Sequence, residues 1–235
     1  MGPGLTKRMI TIIGVGHVFD IRDRVKHEII HRHPRVVAVE LDRNRFQALK
    51  SKEKGTDAPL LYRAMGFVQQ RIADEFEVAP GDEMLAAVEA ANHIGAGVAF
   101  IDLPSDIVFK KMINSMSIKE KIYFLMGMLG GLVASKKKIE EELDRYQQSE
   151  DDYMDVLAKS MPSVTRVLID ERNDHMSHGI KELEKRYGSV IAVVGDGHVK
   201  GICKNLMGEE LEVIRLKDIQ SKTEGDYTVS FDLDQ

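Results

Sequence analysis

Two of the eight histidines in this 235-residue chain lie in the same short pattern, Gly14-Val15-Gly16-His17 and Gly195-Asp196-Gly197-His198. Imidazoles are the side chains that ligate transition metals and exchange protons near neutral pH. Glu40 and Asp102 each close an apolar run, so four polar groups fall where strands should end. Two imidazoles and a carboxylate suit a divalent transition metal and leave positions open for water. Water on such an ion is a usable nucleophile near neutral pH. A metal-free version would use one histidine as general base, oriented by Glu40 or Asp102.

A second group stands out by being in the wrong place. Met161, Val164, Leu168, Met176, Ile180, Leu183 and Tyr187 form one apolar stripe at helical spacing, and Arg172 falls in its middle. A guanidinium on a buried face needs an anionic partner. Arg172 therefore reads either as a structural pair or as the binder of an acidic site residue, a substrate carboxylate or an oxyanion. Glu171 lies nearer the edge of the stripe, and His175 lies near the same face. His31, His33 and His178 read as solvated or helix-end residues, and the methionines as core filler. A rival reading treats Gly14-x-Gly16 followed by Glu40 as a dinucleotide fingerprint. Phe19 stands where its third glycine should be, and Gly201 is no better spaced after the second loop.

The elements that must position these groups follow from periodicity. Met9–Ile13 reads as a buried strand and Asp20 as the cap of a helix reaching about His33; Pro34 then precedes a strand at Val36–Val39. Strand, helix, strand makes a right-handed βαβ unit. Helices are expected at Asp42–Lys50, Leu60–Phe76 and Asp82–His93, and a strand at Val98–Ile101. From Ser105 to Tyr187 the pattern is helical throughout, ending in one long helix from about Met161. A strand at Val190–Val194, a helix to about Met207 and a strand at Leu211–Ile214 follow. Tyr227–Phe231 alternates enough to add an edge strand.

The first and last βα units read alike, TIIGVGHV against AVVGDGHV. The expected fold is α/β: a parallel or mixed central sheet built from two related βα halves, with a helical insertion or lid. The boundaries expected are residues 1–104 for the N-terminal half, 105–187 for the insertion, 188–219 for the C-terminal half and 220–235 for a polar tail. In open parallel sheets ligands collect at the carboxyl ends of the strands, where His17, Glu40, Asp102 and His198 all fall.

Composition narrows the partners. A formal charge of -5 gives no general attraction to nucleic acid. The basic run Lys136–Lys138 leads into the acidic Glu140–Glu142 and reads as a solvated helix face. Cys203 is the only cysteine, so neither an intrachain disulfide nor a cysteine zinc cage is possible. Met1–Arg8 leads straight into a strand with no signal-peptide core, and Ile122–Ala134 falls well short of the ~20 residues that span a bilayer. No membrane span and a cytoplasmic location are expected. Ile122–Ala134 is apolar enough for a lid or a homodimer surface.

Gly14–His17, Val39-Glu40-Leu41 with Arg45, Glu171-Arg172-Asn173 with Met176, and Val194–His198 with Gly201-Ile202 together resemble the TraB family. That family includes the bacterial pheromone-shutdown protein and archaeal homologues, and is related to the TIKI proteases. The resemblance runs from about residue 9 to 216. It implies an erythromycin-esterase/ChaN-like α/β fold and a metal-dependent, peptidase-like hydrolase. By the same resemblance His17, Glu40 and His198 hold a divalent ion (Mn, Co or Zn), while Glu171, Arg172 and Arg45 complete the site. Glu171 would assist proton transfer and Arg172 would stabilise developing negative charge. The alternative is a non-catalytic module that sequesters a peptide or small signal in the same cleft. Asp102 is followed by Leu-Pro rather than the arginine expected of many members, and the membrane-embedded C-terminal part of many archaeal members is not seen.

Overall fold

The computed structural model describes residues 9–16, 21–51, 81–133 and 156–221. Its strands are β1 (Met9–Val15), β2 (Val36–Val39), β3 (Gly97–Phe100), β4 (Ser189–Gly195) and β5 (Leu211–Ile214). They form a sheet in the order β3-β2-β4-β1-β5, and every neighbouring pair is parallel. The expectation of an α/β fold holds, and among the described residues the sheet is parallel rather than mixed. The two similar βα units lie side by side at its centre. Their strands run in register, Gly14 opposite Val194 and Val15 opposite Gly195.

These strands are rich in Val and Ile, which suit a pleated surface. β2 is apolar at every position and β1 and β4 nearly so, because helices cover both faces. Alternate residues of β4 divide accordingly. Ile191 and Val193 pack with Val25, Ile29, Met84, Ala87 and Ala91 on one face. Val190, Ala192 and Val194 pack with Met176, Ile180, Val199 and Ile202 on the other. Full burial of each such Ile, Val or Met contributes roughly 1.5–3 kcal/mol.

The first face carries α1 (Arg22–Arg32), α3 (Asp82–His93) and α9 (Leu216–Ser221); the second carries α7 (Glu171–Tyr187) and α8 (Asp196–Asn205). α2 is Arg43–Ser51, α4 Ser105–Ser115, α5 Ile118–Val133 and α6 Pro162–Thr165. Residues 156–160 are also helical. α1 starts at Arg22 after Ile21, which makes no side-chain cap. It ends at His33, whose left-handed backbone (φ 49°) lets its N–H bond Ile29. The long helix expected from Met161 is not uniform: a π-helical turn at Arg166–Asp170 joins α6 to α7. Asp20, the helix at Leu60–Phe76, the run Lys136–Lys138 and the strand at Tyr227–Phe231 lie outside the described residues.

A smaller cluster of Val108, Met112, Met116, Val164 and Val167 packs α4 against α6 and the π turn. Glu120 ties α5 to that unit. Its carboxylate accepts the backbone N–H groups of Ser117 and of Ser163, each at 2.7 Å, and its own N–H bonds the Ser117 hydroxyl at 3.3 Å. Burial alone would raise this carboxyl, yet the hydrogen bonds from Ser117 and Ser163 hold it down to about 2. A folded-state value below the ordinary carboxylate value is stabilising above that ordinary value, and the benefit fades as pH falls from about 4.5 towards 2. Glu120→Ala is expected to cost ~1 kcal/mol near neutral pH, as loss of a cap does. Urea unfolding of both proteins across that pH window should show the difference shrinking as the wild type acidifies.

Among the described residues, no helix is long and apolar enough to cross a membrane. α5 nevertheless exposes Ile118, Ile122, Leu125 and Met126.

Candidate functional site

The site forms where β1, β2, β3 and β4 end. Beyond the last residue of β2, the Glu40 N–H still bonds Val193 at 3.0 Å, which fixes Glu40 beside the end of β4. The Asp102 N–H bonds Leu41 at 3.3 Å, holding the end of β3 alongside. Two buried carboxylates are thereby fixed on neighbouring strand ends. Asp42 braces the starts of two neighbouring helices. Its Oδ1 accepts the N–H groups of Asn44 (2.9 Å) and Arg45 (3.0 Å), capping α2, and its Oδ2 accepts the Ser105 N–H at 3.3 Å at the start of α4.

Arg172 of α7 answers both carboxylates. Its Nε and Nη2 donate to Asp102 at 2.9 and 2.8 Å, Nη2 also donates to Glu40 Oε1, and Nη1 donates to the Leu168 carbonyl at 3.1 Å. That carbonyl belongs to the π turn, so the irregular helix supplies one of the guanidinium's acceptors. Arg45 adds a second cation through Nη1 to Asp102 Oδ2 at 3.0 Å. The group is close to neutral: two carboxylates against two guanidiniums, with the Asp102 side chain 2% exposed and that of Arg172 14% exposed.

His198 completes the cluster. β4 runs through Gly195 and α8 begins at Asp196, so the second Gly-x-Gly-His stretch is a direct strand-to-helix turn. The imidazole therefore rides on the first turn of α8. Its Nδ1 faces Asn173 Oδ1 at 2.8 Å and its Nε2 faces Glu40 Oε1 at 3.3 Å. Glu40 Oε2 accepts the Gly195 N–H at 2.6 Å. Burial alone would raise the Glu40 carboxyl. Its interactions with His198, Arg172 and the Gly195 N–H overcome that and hold it far below the ordinary carboxylate range. Burial also works against the charge on Arg172, but its bonds to Asp102 and the charge on Glu40 keep it protonated beyond the ordinary guanidinium range.

Comparison with known proteins bears directly on this constellation. The family model for the TraB/PrgY/gumN family matches residues 3–208. The chain belongs to that family. An uncharacterized protein of Methanocaldococcus jannaschii is 28% identical over 93% of this chain and 59% of its own length. TraB domain-containing proteins of Bos taurus and Homo sapiens are each 24% identical, over 83% of this chain and 62% of theirs. The chain thus spans about three-fifths of the length of these relatives.

In this TraB-family chain Arg45 and Arg172 meet at Asp102, and Arg172 and His198 meet at Glu40. His17 lies outside the described residues; the end of β1 at Gly14 and Val15 lies opposite Val194 and Gly195. Glu171 is not part of the cluster; its carboxylate pairs with Lys111 Nζ at 2.7 Å, nearer the surface. His175 lines a separate groove between β3 and α7 with Ile101 and Gly179.

Asp102, whose role the sequence left open, is the acceptor for both arginines. Asn173 received no role from the sequence, yet it holds the imidazole. The available signal was a neutral polar residue beside Arg172 on a helix already expected to face the core. Among the described residues no group of three or more metal-ligating side chains converges. Glu40 and His198 are the two expected ligands on hand there.

Proposed function

We propose that this TraB-family chain is a divalent-metal-dependent hydrolase, peptidase-like in chemistry, with His198, Glu40 and His17 as ligands. The observation that carries this reading is the aim of His198. Its Nδ1 meets Asn173 Oδ1 at 2.8 Å, which leaves Nε2 facing Glu40 Oε1 at 3.3 Å. A ring nitrogen and a carboxylate oxygen aimed at one another can share a proton or exchange it for a metal cation. Anchoring the distal nitrogen is also how ligating histidines are oriented. A nitrogen and carboxylate donor set fits Zn, Mn or Co. When bound, such an ion would supply Lewis acidity and an activated water.

The chain's own residues then have separable tasks. Asn173 fixes the tautomer of His198. Arg172 fixes Glu40 and brings a positive charge to where an oxyanion would need one. Arg45 and Arg172 share Asp102, which holds both guanidiniums beside the strand ends. Elemental analysis of the purified protein tests the reading. The wild type should carry a stoichiometric divalent ion, and the His17→Ala/His198→Ala double variant should lose it. Equal metal content in the two proteins would overturn it.

The second reading is a non-catalytic module that sequesters a peptide or small signal. It is favoured by the way both buried carboxylates are already neutralised by arginines, which leaves little negative charge for an ion. A peptide library incubated with Mn²⁺, Co²⁺ or Zn²⁺ would then give binding without cleavage.

A further inference from the structure

Asp196 fills the variable position of the second Gly-x-Gly-His stretch, and its side chain turns away from Glu40. It is buried, and its carboxylate is fully engaged. Arg215 donates Nε to Oδ1 at 3.0 Å and Nη2 to Oδ2 at 2.7 Å, and the Leu216 N–H adds a third bond at 2.9 Å. Paired donation of this kind is the strong, geometrically specific form of an arginine–carboxylate contact. Arg215 occupies the turn between β5 and α9, where its own N–H bonds Asp218 at 3.1 Å. The same carboxylate fills the space beside Gly14: a Cβ there would lie within 3.0 Å of Asp196 Oδ1. One side chain thus touches the end of β1, the start of α8 and the β5–α9 turn.

The flanking residues Gly195 and Gly197 contribute no side chain that could anchor this turn. Asp196 is therefore the turn's own side-chain anchor, beside the bond from the Gly195 N–H to Glu40. Its partner Arg215 lies beyond residue 208, where the family match ends.

We propose that Asp196 and Arg215 form a latch that positions His198, so that the β5–α9 segment is part of the functional unit. The proposal rests on His198 being a working group of the site, but not on whether that site holds metal or cleaves anything. Asp196 and Arg215 are positioning residues in this sense and touch no reacting atom.

The test is NMR of the full chain, following the His198 Nδ1 proton and hydrogen exchange of the Gly195 amide. In R215A the Nδ1 proton signal should broaden or vanish, and Gly195 should exchange about tenfold faster as the turn opens locally. R215K should restore these signals only in part, because an ammonium cannot make the paired contact. R32A is the control. It removes contacts of Arg32 with Glu28 of α1 and with Glu212 of the same edge strand β5, at 2.6 Å for Nη2 to Glu212. It should lower stability yet leave both signals unmoved. If R215A does not fold, D196N keeps the shape and reads the same two signals. Wild-type signals in a folded R215A or D196N, or equal changes in R32A, would overturn the latch. Both signals are read in protein stripped of divalent ions by a chelator and neither needs turnover, so a failed hydrolase reading would be recognised separately.

Discussion

Arg172→Ala is expected to destabilise the fold by about 3–5 kcal/mol near neutral pH, the usual result of removing one partner from a buried ionic group. The loss comes from what remains. Glu40 and Asp102 would remain on adjacent strand ends, with the partly exposed Arg45 at Asp102 and His198 and the Gly195 N–H at Glu40 left to offset them. Chemical denaturation at constant m-value measures the effect. Arg172→Lys should recover little, because one nitrogen cannot serve Asp102 twice while reaching Glu40 and the Leu168 carbonyl. The decisive comparison is Glu40→Gln/Asp102→Asn/Arg172→Met, in which cation and anions go together. That protein should regain much of the stability, since a neutral set no longer strands buried charge. A loss under about 1 kcal/mol in the single variant would mean that the carboxylates find solvent and are not held by Arg172.

Gly201→Ala has an effect whose sign is informative. Gly201 lies inside α8, where alanine ordinarily stabilises by about 1 kcal/mol through helix propensity alone. Here a Cβ would come within 3.0 Å of both Nδ2 and Cγ of Asn173. Asn173 is short, buried and bound to His198, so it cannot simply swing away. Overpacking of this kind costs roughly 1–3 kcal/mol, and the expected outcome is a lowered melting temperature. The displaced amide should also release His198 Nδ1, which nitrogen chemical shifts would report as a change in tautomer ratio. Asn173→Ala/Gly201→Ala should recover the packing loss but not the tautomer. A melting temperature at or above wild type in the single variant would show that the two helices yield easily.

Much of this could be read from residue order. The acids at strand ends, the glycines before the histidines, and the demand of Arg172 for an anion each follow from a few neighbouring positions. The identity of the anion did not. β4 enters the sheet between β2 and β1, a long-range choice that brings Gly195 and His198 against Glu40 rather than leaving the halves apart. The π turn was also hidden, because one extra residue in a helical turn barely disturbs an apolar stripe of period 3.6. Asp196 was invisible for a different reason: its partner is a single arginine in another element, with no pattern to announce it. Glu171 is the converse case: adjacency to Arg172 suggests a shared task, while helical geometry turns its carboxylate towards Lys111.

The glycines at 14 and 201 have a consequence for descent as well as for folding. Each is a receiving socket shaped by a polar side chain from elsewhere, Asp196 for the first and Asn173 for the second. Such positions should change in pairs. A lineage that acquires a methyl group at 14 should first have shortened or lost the carboxylate at 196, and alanine at 201 should travel with a smaller residue at 173. Read across relatives, those two couplings would trace the inheritance of the histidine mount even where the histidine itself has been replaced.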